Sequence, residues 1–122
     1  MILNWNNTMK ITRLHKTERM SKVVIHNDTI YLCGQVGSGN NITEQTTTML
    51  EKVDALLAEV DCDKSRILTS TIWLSDMSNF AEMNLVWDAW IDPQNPPARA
   101  CGEARLATEA LLVEIIVTAA KN

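Results

Sequence analysis

An α+β domain, one mixed sheet with two helices packed on one face, is what this 122-residue sequence predicts. Three observations carry that prediction. Runs rich in β-branched and aromatic residues alternate with two stretches of helical periodicity, in the order ββαβαββ. Each helical stretch has a single apolar stripe, and so one face to bury. No tandem repeat or low-complexity segment interrupts the pattern, and the length suits a single domain over residues 1–122, with residues 1–10 expected as a flexible extension ahead of it.

The elements follow in order. "KVVIHNDTIYLCGQV" reads as a β-hairpin, because Asn27 and Asp28 tolerate the positive φ of a tight turn between two strand-forming runs. "GSGNN" breaks the pattern as a loop. From Thr43 the period changes, and Met49, Leu50, Val53, Leu56, Leu57 and Val60 form one helical stripe that ends at "DCDKS". "RILTSTIWL" is the next strand. Ser75, Asp76 or Ser78 can cap a second helix, whose stripe is Phe80, Met83, Trp87, Trp90 and Ile91. Met49, Met83, Phe80, Trp87 and Trp90 are expected in the core. The prolines of "DPQNPP" stop the second helix, and strands over 97–105 and 111–120 close the chain.

Composition removes several function classes. A net charge of -4 without any Lys/Arg-rich run argues against nucleic acid or anionic lipid as a partner. The longest apolar runs, such as "EALLVEIIVTAA", are too short to span a bilayer and carry a carboxylate. "MILNWNNTMK" lacks the basic and apolar regions of a signal peptide. Cys33, Cys62 and Cys101 make an odd count without CxxC spacing, which fits reduced thiols in a cytoplasmic protein. His15 and His26 have no ligand cluster around them, so no metal is expected.

Both faces of the sheet carry large side chains. In the last strand Leu111, Val113, Ile115 and Val117 share one face, while Leu112 and Ile116 lie on the other. Two helices cover one face only, so the second is expected against other copies of the chain. The stretch "NPPARACGEARL" divides sharply: Arg99, Cys101, Glu103 and Arg105 on one side, Ala98, Ala100, Gly102, Ala104 and Leu106 on the other. The small side is expected to give clearance to the tryptophan-bearing helix, which would aim the polar side toward the subunit boundary. Glu114 sits between Leu112 and Ile116, where a lone charge is costly. Pairing of the last two strands as a hairpin would bring Arg99 to it. Spacing alone leaves two readings open, a structural ion pair or an anion-binding guanidinium beside a water-handling carboxylate. Asn84 lies on a side of the second helix from which a neighbouring subunit's cleft is within reach.

The chain resembles the RidA family (also called YjgF) over nearly its full length after the first ten or so residues. The matching pieces are "YLCGQV", "ILTSTIWLSDMSNFAEMNLVWDAW" and "PPARACGEARL" followed by "LLVEIIVTAA". An arginine follows Pro-Ala, a cysteine comes two residues later, and a glutamate fifteen residues after the arginine. "VVIHND", "MNLVWDAW" and "PARACGEA" look closest to a divergent, YoaB-like branch. The resemblance implies a chorismate-mutase-like fold assembled as a homotrimer, with clefts between subunits and no cofactor. It implies hydrolysis of reactive 2-imino or enamine acids to 2-keto acids and ammonia. The alternative is a non-catalytic binder or regulator using the same clefts for small acids. Arg99 is carried over as the grip on the substrate carboxylate and Glu114 as the group orienting water. Cys101, Cys33, Gly34, Met20 and Asn84 are carried over as substrate-binding positions, Cys101 lining the pocket without acting as nucleophile. Met20 and Cys33 depart from the pattern, standing where archetypal members have a tyrosine and a serine.

Overall fold

The computed structural model describes residues 10–122, so the extension expected over 1–10 falls, Lys10 excepted, outside the described residues. The strands are β1 (Ile11–Leu14), β2 (Val23–His26), β3 (Thr29–Leu32), β4 (Gln35–Val36), β5 (Ile67–Leu74), β6 (Ala98–Glu103) and β7 (Val113–Ala120). The helices are α1 (Ile42–Glu59) and α2 (Phe80–Trp90). All strands join one sheet in the order β1-β2-β3-β7-β5-β6, with β4 also paired to β7. Only β5 and β6 run parallel, joined by the crossover through α2; every other pair is antiparallel.

The expected hairpin is present. His26 pairs with Thr29, and Asn27 between them holds φ +54°. Strand β1 adds to the expected order; four residues of weak alternation gave it no signature of its own. Asn41 caps α1 by accepting the Glu44 amide at 2.9 Å, one residue before the helix begins. The whole α1 stripe from Met49 to Leu57 is buried, as its spacing requires. Asp76 accepts the Ser78 amide, but caps a short 3-10 turn (Met77–Asn79) that leads into α2. Trp90 Nε1 donates to Asp54 Oδ2 at 2.9 Å and ties α2 to α1.

Two expectations fail together. The strands over 98–103 and 113–120 do not form a hairpin, because β5 lies between them and pairs with both. That insertion also decides the faces. Arg99 is level with Ser70, Cys101 with Ile72 and Glu103 with Leu74, and these β5 partners are all buried under the helices. The polar side of β6 therefore faces the helix layer, and Ala98, Ala100 and Gly102 face outward. The small residues do clear space for a tryptophan, but it is Trp73 of β5 rather than one on α2.

One core device had no sequence signature. Gln45, 4% exposed, donates from Nε2 to the carbonyls of Ala110 (2.9 Å) and Gly39 (3.2 Å), and its Oε1 accepts the Leu112 amide at 2.9 Å. It sews the segment entering β7 to α1. Gln45→Ala leaves backbone groups buried without partners, and is expected to cost about 2–4 kcal/mol in urea unfolding. A loss below about 0.5 kcal/mol would show that water replaces the amide.

Candidate functional site

The residues singled out by sequence form two groups, one on each face of the sheet. The first lies on the helix side. There the Arg99 guanidinium carbon stands 5.1 Å from the centre of the Trp87 ring and 5.9 Å from that of Phe80. Phe80, Asn84 and Trp87 fall at i, i+4 and i+7 along α2, which places them on one stripe toward β6. A flat guanidinium stacks well on aromatic faces, and stacking leaves its in-plane N–H donors for another group. Among the described residues Arg99 joins no salt bridge; the one ion pair is His15–Glu59. Phe80, expected in the core, is instead 37% exposed and flanks this arginine. Asn84 Oδ1 is buried without a hydrogen-bond partner. Cys101 is half-buried on the same side. Burial pushes its thiol up and Arg99 only partly opposes that, which keeps the thiol neutral near neutral pH.

The second group lies on the outer face. Glu114 alternates with buried Val113 and Ile115, so its carboxylate points away from the core. It lies against Gly34, where a Cβ would come within 2.8 Å of Oε2. No other residue type allows the carboxylate this approach to the backbone. Next to Gly34, Cys33 Sγ accepts from Gln35 Nε2 at 3.1 Å, and the Cys33 amide donates to the Lys22 carbonyl at 2.9 Å. Met20, 44% exposed, lies in the segment entering β2, two residues before Lys22. His15 Nε2, 2.5 Å from Glu59 Oε2, fastens the start of that segment to the end of α1.

Within one chain the two groups do not meet. Arg99 lies in the row of Ser70 and Val117, and Glu114 in the row of Trp73 and Gly102. Three residues along the strands and two strands across separate their backbones by roughly 14 Å, with the sheet between the side chains. Glu103 and Arg105 belong to neither group. Glu103 Oε2 accepts the Met77 amide at 3.0 Å. Arg105 lies past the end of β6 in a hollow of about 300 Å³ with Ser75, Thr108 and Glu109. Among the described residues no His, Cys, Asp and Glu side chains cluster to hold a metal ion, and no helix is long and apolar enough to cross a membrane.

Sequence reasoning missed Trp73 and the role of Phe80 beside Arg99. Along β5 Trp73 alternates with buried Ile72 and Leu74, and the placement of β5 between β6 and β7 sets it beside Glu114.

Known proteins resemble this chain in sequence and fold over most of their length. The model of the family described as Endoribonuclease L-PSP matches residues 10–121. A RutC family protein of Haemophilus ducreyi is 45% identical over 114 residues, covering 92% of this chain and 97% of that protein. The RutC family protein YoaB of Escherichia coli is 40% identical over 113 residues, covering 92% and 99%. A crystal structure of a YjgF-family member from Neisseria meningitidis superposes with TM-score 0.92 at 45% identity, covering 94% of this chain and 98% of the other.

Proposed function

The chain belongs to the Endoribonuclease L-PSP family, among RutC and YjgF proteins, and from that premise we propose that it hydrolyses 2-imino or enamine acids to 2-keto acids and ammonia. The single observation behind this reading is the split site. An arginine without a salt-bridge partner, backed by aromatic rings, lies on one face, and a carboxylate packed on a glycine lies on the other. Each group is incomplete alone. A homotrimer, with its clefts between subunits, supplies Arg99 from one chain and Glu114 from its neighbour.

In such a cleft the guanidinium fork of Arg99 holds the substrate carboxylate and leaves C2 exposed. Glu114 orients a water molecule and takes its proton as the oxygen bonds to C2. Glu114 returns that proton to the imine nitrogen, which gives the carbinolamine; it then takes the carbinolamine hydroxyl proton and passes it to the amino group as the C2–N bond breaks, so that ammonia leaves a 2-keto acid. Glu114 ends as a carboxylate, and one water is consumed per imine. Cys101 and Asn84 line the Arg99 side, and Cys33, Gly34 and Met20 the Glu114 side. Glu114 belongs to this outer cleft rather than to a buried ion pair with Arg99.

A second reading is supported by Met20 and Cys33, whose thioether and thiol are poor hydrogen-bond partners at a polar ligand. In it the clefts bind 2-keto acids without turnover. The net charge of -4 supports neither reading over the other, but it disfavours RNA as a ligand of these clefts. The deciding experiment generates 2-iminobutanoate in place with a threonine dehydratase and follows 2-oxobutanoate. Deamination predicts release faster than spontaneous hydrolysis, in proportion to added protein. Calorimetric binding of 2-oxobutanoate with no acceleration would leave the second reading.

A further inference from the structure

Glu114 does not stand alone on the outer face. Trp73 is directly level with it on β5, and Gly102 is level with Trp73 on β6, so Glu114, Trp73 and Gly102 form one row across three strands. Directly opposed residues have Cβ atoms about 5 Å apart, close enough for the indole to border the carboxylate. The ring leans the other way. A Cβ at residue 102 would lie 3.0 Å from Trp73 Cζ3 and 3.5 Å from Cε3. The six-membered ring thus rests over β6, where a side chain at residue 102 would press on it. On the opposite side the carboxylate leans to Gly34. Indole and carboxylate thus lean to opposite sides, each toward a glycine, along one strip of the sheet. In the next row the strip continues past Ile116, Thr71 and Ala100, of which Ile116 is 40% exposed.

We propose that Trp73, held back by Gly102, is the wall that selects the substrate side chain, and that the class selected is 2-imino and 2-keto acids with a branched or aromatic side chain rather than a methyl. This rests on the reading of Glu114 as one side of an acid-binding cleft. The surfaces bordering the strip, the indole and the 40%-exposed Ile116, are apolar. A larger apolar group gains contact there that a methyl cannot, typically about tenfold in affinity or more for the added carbons. Gly102 is a positioning residue: it acts only through the tilt of Trp73.

The test measures calorimetric affinities of pyruvate and 4-methyl-2-oxopentanoate for the wild-type protein and three variants. The wild type is expected to favour the branched acid by about tenfold. Gly102→Val pushes the ring over the strip and is expected to weaken the branched acid about tenfold while moving pyruvate less than about twofold. Trp73→Ala removes the wall and abolishes the preference. Trp73→Phe in the Gly102→Val background removes the overlap and restores most of the preference, which a general loss of folding would not do. If the wild type binds neither acid, the acid-cleft reading falls and this assignment with it. If it binds both with a ratio that Gly102→Val and Trp73→Ala leave unchanged, the acid cleft stands and the Trp73 assignment is overturned.

Discussion

Arg99→Ala is expected to lower kcat/KM for imine hydrolysis by about 100-fold, with the fold intact. Two parallel charge-assisted hydrogen bonds to a carboxylate are worth roughly 3 kcal/mol together, and each 1.4 kcal/mol is a factor of ten. Arg99→Lys keeps the charge but loses the fork, and about a tenfold loss is expected from it. The fold should tolerate both. Among the described residues Arg99 has no ion-pair partner, so its removal orphans no buried carboxylate. What is lost is stacking on Trp87 and Phe80, about 0.5–1 kcal/mol. The measurement pairs the keto-acid assay with a thermal melt for each variant. Unchanged turnover in a folded Arg99→Ala protein would remove Arg99 from the site.

The contrast between α1 and β6 shows what a sequence of this kind encodes locally. The stripe from Met49 to Leu57 names its own buried face, because helical spacing concentrates the apolar residues on one side. Asn27 marks its own turn, since few residue types accept φ +54°. Strand β6 has two chemically distinct sides as well, yet nothing within it says which is inside. That is settled by the neighbour it pairs with, and β5 is paired to it from about thirty residues earlier. Adjacency in sequence favours a hairpin of the last two strands, but the segment over 104–112 instead passes the end of β5. There Ala104 donates to the Leu74 carbonyl and Ser75 to that of Leu112. One misplaced strand then inverts both faces of β6. Arg99, Cys101, Gly34 and Glu114 stand out in the sequence through motif spacing, which does not depend on knowing the faces, whereas the fold divides them between the two sides of the sheet. Gln45 and Trp73 were not, since a buried carboxamide and a level tryptophan get their meaning from partners more than twenty-five residues away.

The opposition of the two faces makes a second large effect accessible, the rescue of one inactive variant by another. Glu114→Gln removes the proposed proton acceptor while keeping shape, and is expected to lower turnover at least about 100-fold. Alone, neither it nor Arg99→Ala assembles an intact cleft. Unfolded together in equal amounts and refolded, the two chains would mix at random around each ring of the proposed homotrimer. Half of the chains then offer an intact Arg99 and half an intact Glu114. A cleft drawing these groups from different chains is intact in about one quarter of cases, so about one quarter of wild-type activity should return. If one chain supplied both groups to a cleft, no mixture could contain an intact one, and activity would stay at the level of the separate variants. The sheet lies between Arg99 and Glu114 in every chain, and neither side chain can reach past it. Recovery near one quarter would therefore place the catalytic pair across a subunit boundary, whereas none, in mixtures shown by mass spectrometry to contain both chains, would dissolve the pair altogether.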